Sequence, residues 1–321
     1  MPSAPRILIV KTSSLGDVIH GLPVVSDIQR AMPDAIIDWV AEDNFADIPA
    51  LHPGVRRVIR SSLRRWRRAP FAATTRTGLA AFRRDLQLAD YDYVIDLQGL
   101  IKSAWIARQA IGPRAGFDRH SAREGLASWF YQRRYPIARD QHAVLRNRQL
   151  AAAALDYSLA PLSLDYGIAT PGLQKIQSNA TTATLITATS RDDKLWHEQD
   201  WIALGTALQQ QGIASMLPAG NPIERNRAER IAAEIPHARV LPPMSVAELA
   251  TAFSTARLAV GVDTGLTHLA CALNIPTLAI YTATDPGLTG VIGRAFFRNL
   301  GGRSGPPSLA EVLAATVPAL G

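Results

Sequence analysis

Short apolar runs recur along the chain, and each gives way within a few residues to a stretch with helical spacing. "RILIVK", "IIDWVA", "RRVIR" and "YVIDLQG" mark strands in the first half, with helices near 18–31, 79–89, 102–111 and 142–156. In the second half "TATLITA", "IASMLPAG", "ARVLP", "RLAVGV" and "TLAIYT" mark strands, with helices near 198–211, 223–235, 245–256 and 266–274. Strands alternating with helices fold as parallel sheets covered on both faces. The reading is therefore α/β, with doubly wound parallel sheets. Pro23 falls early in the first helix and is expected to kink it.

At 321 residues the chain exceeds one ordinary domain. Residues 157–172, "YSLAPLSLDYGIATPG", carry prolines and glycines without sustained period and read as a linker. The expected division is a domain over 1–160 and another over 173–321, facing a cleft, with the C-terminal helix a candidate to pack back on the N-terminal domain. In open parallel sheets ligands sit beyond the carboxyl ends of the strands. Those ends read "KTSSLGD", "LQGLIKS", "TATSRDDK", "PAGNPIE" and "VGVDTGLTH", pairing small residues with hydroxyls or charges.

"ILIVKTSSLGDVIHGLP" places Asp17 at the mouth of a strand-to-helix turn, among Lys11, Thr12, Ser13 and Ser14. An acid there is either a helix cap or a cleft-facing group that handles a proton. In "GVDTGLTHLA" a helix begins directly after Asp263-Thr264-Gly265, with His268 one turn in. Backbone N–H groups and the helix dipole at such a start suit a phosphate. Thr189, Ser190 and Lys194 follow another strand, where a lysine and two hydroxyls suit a diphosphate. Glu224 opens a helix and could accept hydrogen bonds from vicinal ribose hydroxyls, or simply complement the dipole.

Charge is unevenly placed. Residues 1–160 hold 23 Lys and Arg against 15 Asp and Glu, while the rest holds 11 against 12. "RRVIRSSLRRWRRAP" concentrates Arg56, Arg57, Arg60, Arg64, Arg65, Arg67 and Arg68 around Trp66, almost without acids. Such a patch suits nucleic acid, an anionic membrane face or a polyanionic substrate.

Other classes lose support. There is no G-x-x-x-x-G-K-[ST] and no G-x-G-x-x-G after the first strand, against P-loop and dehydrogenase chemistry. Seven histidines show no paired ligand spacing, and the single cysteine, Cys271, reads as core, so no metal site is argued. "DYD" at 90–92 precedes its strand and lies at the wrong end of the sheet for a nucleotide motif. "NAT" at 179–181 matches a glycosylation acceptor, which carries no weight in a chain that stays inside the cell. With no basic leader and no apolar run near ~18 residues, a cytoplasmic protein is expected.

Together "VKTSSLGDVIHGLP", "VIDLQGLIKSA", "TSRDDKLW" and "VGVDTGLTHLACAL", in that order over about 300 residues, resemble the bacterial lipopolysaccharide heptosyltransferases, glycosyltransferase family 9. The cluster "LRRWRRAPF" is most similar to the heptosyltransferase I branch. The resemblance implies a GT-B fold of two Rossmann-like domains and inverting, metal-independent transfer of L-glycero-D-manno-heptose from ADP-heptose to the first Kdo of Kdo2-lipid A. ADP-heptose is then a substrate and no cofactor is expected.

Carried over by position, Asp17 matches the general base. Lys194, Thr189, Ser190, Thr264 and Gly265 match diphosphate contacts, Glu224 the ribose-binding acid and Met244 an adenine neighbour. Asp263 and His268 match contacts to heptose or phosphates. Ser14, Gly16, Arg64, Arg65, Arg67, Arg68, Arg123 and Arg146 are the acceptor-side candidates. Electrostatic contact with the inner leaflet of a Gram-negative cytoplasmic membrane follows from the same reading. Heptosyltransferase II or another GT-B transferase is the near alternative. A nucleic-acid-binding protein is a distant one, and nucleic acid is not an expected partner.

Overall fold

A computed structural model describes residues 4–160, 163–169 and 181–321. The chain divides into two compact units, Met1–Gly167 and Ile168–Gly321. Residues 161, 162 and 170–172 of the stretch read as linker, and 179–180 of "NAT", lie outside the described residues.

The first unit holds β1 (Arg6–Val10), β2 (Ile36–Glu42), β3 (Val55–Ser61), β4 (Tyr93–Asp96), β5 (Arg114–Phe117) and β6 (Arg133–Tyr135). They form one parallel sheet in the order β3-β2-β1-β4-β5-β6. Its helices are α1 (Leu15–Ile19), α2 (Leu22–Ala31), α3 (Asp47–Ala50), α4 (Leu63–Arg68), α5 (Ala73–Leu86), α6 (Ile101–Gln109) and α7 (Ala143–Leu155). β1 is an unbroken apolar run because both of its faces are covered. Leu8 and Val10 pack with Trp66, Phe82, Leu86 and Ile106 of α4, α5 and α6. Ile7 and Ile9 are equally buried on the alternate positions of the strand.

The helix expected over 18–31 with a kink at Pro23 is instead two helices. α1 ends at Ile19, and Pro23 sits in the first turn of α2, where its missing N–H costs no bond. A Cβ on Gly21 would lie 2.8 Å from the Trp39 ring, so the break brings the chain against that buried tryptophan. Strands β5 and β6 were not legible in "RAGF" and "RRY", which are too short and mixed to show a period.

The arginine run also resolves differently from a patch without acids. Arg56 grips the fully buried Asp38 with two bonds, 3.0 and 2.7 Å, and Arg57 reaches the same carboxylate at 3.0 Å. Arg60 pairs with Asp47 at 2.9 Å. Three of the seven arginines are thus paired with two acids along β3, and Arg65 comes within 4.0 Å of Asp43. Arg64, Arg65, Arg67 and Arg68 stand exposed on α4, anchored by Trp66 against Phe82 with ring centroids 5.5 Å apart.

The second unit holds β7 (Thr182–Ile186), β8 (Ala214–Leu217), β9 (Arg239–Val240), β10 (Leu258–Val262), β11 (Thr277–Tyr281) and β12 (Phe297–Gly301). The parallel order β12-β11-β10-β7-β8-β9, read from its other edge, repeats the winding of the first sheet. Helices α8 (Glu198–Gln210), α9 (Pro222–Ala233), α10 (Val246–Phe253), α11 (Gly265–Ala272), α12 (Pro286–Thr289) and α13 (Leu309–Leu320) surround it. α13 belongs to the second unit. Val312, Ala315 and Ala319 enter the core of the second unit beside Trp201, Leu204 and Leu278. A Ser308–Glu311 capping box starts this helix, and Arg257 bonds the Leu320 carbonyl at 2.6 Å near its end. Cys271 is core as expected, and burial pushes its thiol up to about 12. Asp92 of "DYD" accepts the Arg6 N–H at 2.8 Å, at the amino end of β1 and away from the strand ends that carry the site.

His52 sets an acid limit on the first unit. Its Nδ1 accepts the Gly54 N–H at 3.0 Å, and its Nε2 lies 2.9 Å from the Ser26 hydroxyl, so the ring is held neutral. Burial, only partly offset by Asp165, pushes its pKa down from 6.5 to about 4. The unfolded chain therefore binds a proton that the folded chain refuses between those values. Stability is expected to fall as pH drops from 6.5 towards 4. Urea midpoints across that window should show a shallower pH slope for His52→Gln than for the wild type, and equal slopes would remove His52 from the account.

Candidate active site

In a sheet wound in this order the connections after the first and fourth strands leave on opposite faces, opening a crevice at the carboxyl edge between them. In the first unit this point lies between β1 and β4. The loop after β1 leads through Lys11, Thr12, Ser13 and Ser14 to Asp17 in α1. Gln98, after β4, ties the two loops together. Its Oε1 accepts from the Thr12 N–H at 2.7 Å and hydroxyl at 2.8 Å, and its Nε2 donates to the Ser13 carbonyl at 2.5 Å. Asp96 supports that loop from below, accepting from Tyr131 (2.6 Å), Ser103 (2.7 Å) and the Gln98 N–H (2.8 Å).

Asp17 is the third residue of α1, at the carboxyl edge of the first sheet. Its Oδ2 accepts the Ser14 N–H at 3.1 Å, which closes the first turn of α1 with Gly16 inside it. The same oxygen lies 3.3 Å from Arg123. Burial pushes its pKa up, but Lys11, Arg123 and the Ser14 N–H outweigh that and hold the carboxyl below its usual range. Asp17 is therefore an ionised acceptor at neutral pH. Lys11 is buried, with Nζ 2.7 Å from the Leu97 carbonyl and 3.3 Å from Asn147, and burial pushes it down to about 8 despite the attraction of Asp17.

Around this carboxylate the chain gathers cations. Arg146 bonds the Ser121 carbonyl at 2.5 Å and stacks on Phe117, its centre 4.8 Å from the ring. Arg64 lies over the Phe45 ring at 5.3 Å, and its backbone N–H is held by Glu42 at 2.9 Å. α4 follows β3 directly, so its four arginines rise from the same carboxyl edge as Asp17.

The switch point of the second unit lies between β7 and β10, and the donor-side candidates collect at the same edge. Lys194 reaches Asp263 at 2.6 Å, and Thr284 donates to the same oxygen at 2.6 Å. Thr189 bonds the Asp263 carbonyl at 3.1 Å, which joins the loops after β7 and β10. Burial pushes the Asp263 pKa up, but Lys194, Thr284 and the nearby His268 outweigh it, so the carboxylate stays charged. Thr264 occupies the N-cap position of α11 without a side-chain capping bond, and Gly265 begins the helix, with the buried His268 in its first turns. Ser190 is exposed beside this group. Glu224, in the first turn of α9, takes the Gly220 N–H at 2.8 Å while Asn221 caps the helix at 3.0 Å. Met244 is half-buried in the loop between β9 and α10.

A sheet edge carrying a lysine, hydroxyls and a helix start, built on this winding, is suited to a nucleotide diphosphate. The model of Glycosyltransferase family 9 (heptosyltransferase) matches residues 79–305. The chain belongs to this heptosyltransferase family. Lipopolysaccharide heptosyltransferase 1 of Pseudomonas aeruginosa is 48% identical over 292 residues, 90% of this chain and 82% of that one. The Escherichia coli K12 protein of the same name is 47% identical over 291 residues, 90% and 91% of the two chains. The solved E. coli heptosyltransferase WaaC with ADP superposes with a TM-score of 0.89 at 42% identity, covering 98% of this chain and all of that one. E. coli heptosyltransferase II shares the fold at a TM-score of 0.78 and 19% identity. The α/β GT-B-like architecture of two parallel six-stranded sheets is common to them.

In this glycosyltransferase three site neighbours escaped the sequence reading. Lys102, in the first turn of α6, donates to the Ser13 hydroxyl at 2.8 Å and is pushed down by burial and by Arg64. Gln98 lies in "VIDLQGLIKSA" just after β4, and Thr284 follows β11 in "YTATD". Their signal was position at a strand end; their partners lie too far along the chain for spacing to reveal.

Proposed function

We propose that this enzyme transfers L-glycero-D-manno-heptose from ADP-heptose to the first Kdo of Kdo2-lipid A, with inversion, in assembly of the lipopolysaccharide inner core. One observation carries the reading: an ionised carboxylate, Asp17, stands at the switch point of the first sheet among cations suited to an anionic acceptor. The relatives named lipopolysaccharide heptosyltransferase 1, and the WaaC structures with ADP and with ADP-2-deoxy-2-fluoro heptose, support the donor class.

Asp17 takes the proton of the acceptor hydroxyl as that oxygen attacks the anomeric carbon. The bond from that carbon to the β-phosphate oxygen breaks on the opposite face, and ADP leaves with the electron pair. Negative charge grows on the diphosphate, where preorganised positive groups lower the barrier most. Lys194, Thr189, Ser190 and the start of α11 at Thr264 and Gly265 fill that role. Glu224 receives the ribose hydroxyls, Met244 lies by the adenine, and Asp263 and His268 orient the heptose and phosphates. Ser14 and Gly16 shape the acceptor side. Arg123, half-exposed, and Arg146 turn to acceptor carboxylates, and a bound anion that draws Arg123 away leaves Asp17 a stronger base. No metal enters this scheme.

Among the described residues no helix is long and apolar enough to cross a membrane. The arginines of α4 therefore supply the attraction to an acceptor held at a cytoplasmic membrane surface. Changing Arg64, Arg65, Arg67 and Arg68 together to Gln is expected to raise the acceptor KM at least ~tenfold and to leave ADP-heptose binding unchanged. Parallel loss of both would remove the acceptor role.

The function itself is tested with ADP-heptose and Kdo2-lipid A in EDTA, following ADP release and product mass. Addition of one heptose is expected. No product on that acceptor overturns the assignment, and equal use of UDP- or GDP-sugars overturns the donor.

A further inference from the structure

Four large apolar side chains of the first unit face solvent on two elements that pack together. Ile101 and Trp105 of α6 are 41% and 39% exposed, and Leu126 and Trp129 of the 3-10 helix Gly125–Phe130 are 51% and 69% exposed. On α6 the outward stripe is Ile101, Trp105 and Arg108, one helical face that an ordinary surface helix makes polar. Leu126 and Trp129 are three apart in a 3-10 helix and share a face. Behind them Ala104, Ala127 and Tyr131 form a buried cluster with Phe130, which locks the two elements side by side. Arg108, Arg114, Trp129 and Phe130 line a depression of about 350 Å³, and Arg114 is steadied by the Phe130 carbonyl at 2.8 Å.

Scattered exposed apolar residues need no explanation, but a cluster of four on adjoining elements marks an interaction surface; beside it stand Arg108, Arg114 and the acid Glu124, whose carboxylate is occupied by the Ile101 N–H at 2.6 Å. Tryptophan pairs an apolar ring with a polar N–H and settles at the boundary between headgroups and acyl chains. We propose that this face docks on an anionic lipid bilayer, with Trp105 and Trp129 at headgroup depth and Arg108 and Arg114 on lipid phosphates. Arginines interleaved with tryptophans complement that surface, and a partner of basic character would meet repulsion from Arg108 and Arg114. The face is also continuous with the candidate active site. α6 carries Lys102 beside Ile101, and Lys102 bonds Ser13 in the loop that leads to Asp17. A bilayer on this face would present a lipid-anchored acceptor at the edge where Asp17 stands; that benefit rests on the proposed function, whereas the docking does not.

The experiment uses the full chain, without sugar substrates, and vesicles of phosphatidylglycerol and phosphatidylethanolamine, with phosphatidylcholine vesicles as the neutral comparison. Trp39, Trp66, Trp196 and Trp201 are buried, so quenching by brominated acyl chains reports Trp105 and Trp129. Co-sedimentation with the anionic vesicles and quenching are expected. A Trp105→Ser/Trp129→Ser variant should bind at least ~tenfold more weakly with an unchanged urea midpoint and unchanged turnover of a water-soluble acceptor. Absence of vesicle binding overturns the proposal. So does binding without quenching that the double variant retains, or that Phe71→Ala at the tip beyond α4 abolishes. A monomer–dimer equilibrium in sedimentation, removed by the same two substitutions, would assign the face to a second copy instead. Vesicle binding with no heptose transfer leaves this inference standing and overturns only the proposed reaction; transfer without vesicle binding does the reverse.

Discussion

Asp17→Asn is expected to lower kcat by at least ~100-fold while ADP-heptose binds as before. The amide oxygen can still accept the Ser14 N–H, now 3.1 Å from Asp17 Oδ2, so the first turn of α1 keeps its cap and the variant separates capping from catalysis. What disappears is the charge proposed to draw the acceptor proton. Arg123 loses its partner at 3.3 Å, and Lys11, which the carboxylate holds up against burial, is pushed further down. Single-turnover rates with isothermal titration of the donor separate the two effects. A variant as fast as the wild type would leave Asp17 a helix cap and nothing more. The pH profile adds a second check. Because the carboxyl is held below its usual range in the free enzyme, its protonation is not expected to lower kcat/KM between pH 7 and 5. A kcat/KM falling in that window points to another group.

Lys194→Gln is expected to lower kcat by roughly 100- to 1,000-fold, the size associated with removing one preorganised donor from a developing negative charge. The ammonium already stands at the carboxyl edge of the second sheet, 2.6 Å from Asp263, so little reorganisation is needed when a diphosphate arrives. Its removal also strips Asp263 of a principal stabilising partner and raises that carboxyl. Asp263→Asn in the same background tests whether the loss comes from the missing cation or from the stranded acid. Partial recovery in the double variant points to the stranded acid, and none points to the cation. Rates within threefold of wild type for Lys194→Gln would remove the lysine from the leaving-group site.

Much of the architecture was legible because it is written in short-range spacing. Continuous apolar runs such as "RILIVK" and "RLAVGV" read as strands covered on both faces, and the helical periods between them argue for parallel pairing. The rule that ligands gather at strand ends then picked out Asp17, Thr189, Lys194, Glu224 and Asp263, which the structure does place at those edges. Where a strand carries charges and glycine in place of an apolar run the reading failed. β5, β6 and β12 are "RAGF", "RRY" and "FRNLG", and they are strands because a neighbouring strand offers its backbone.

Composition determined the charge of the first half, but not which charges remain open. Arg56, Arg57 and Arg60 look no different in the sequence from Arg64, Arg65, Arg67 and Arg68. Only the pairing of β2 with β3 lays Asp38 beside Arg57; Arg56 and Arg57 go to that buried carboxylate and Arg60 to the half-exposed Asp47, leaving the second group on a helix in solvent. The same holds for Gln98 and Lys102, whose partners Ser13 and Thr12 lie 85 to 89 residues away. Local spacing encodes which face of an element is apolar, so the sequence by itself determined the elements and the edge that carries the chemistry. Hydrogen bonds between distant loops depend on strand order, and tertiary structure alone decided which charges meet there.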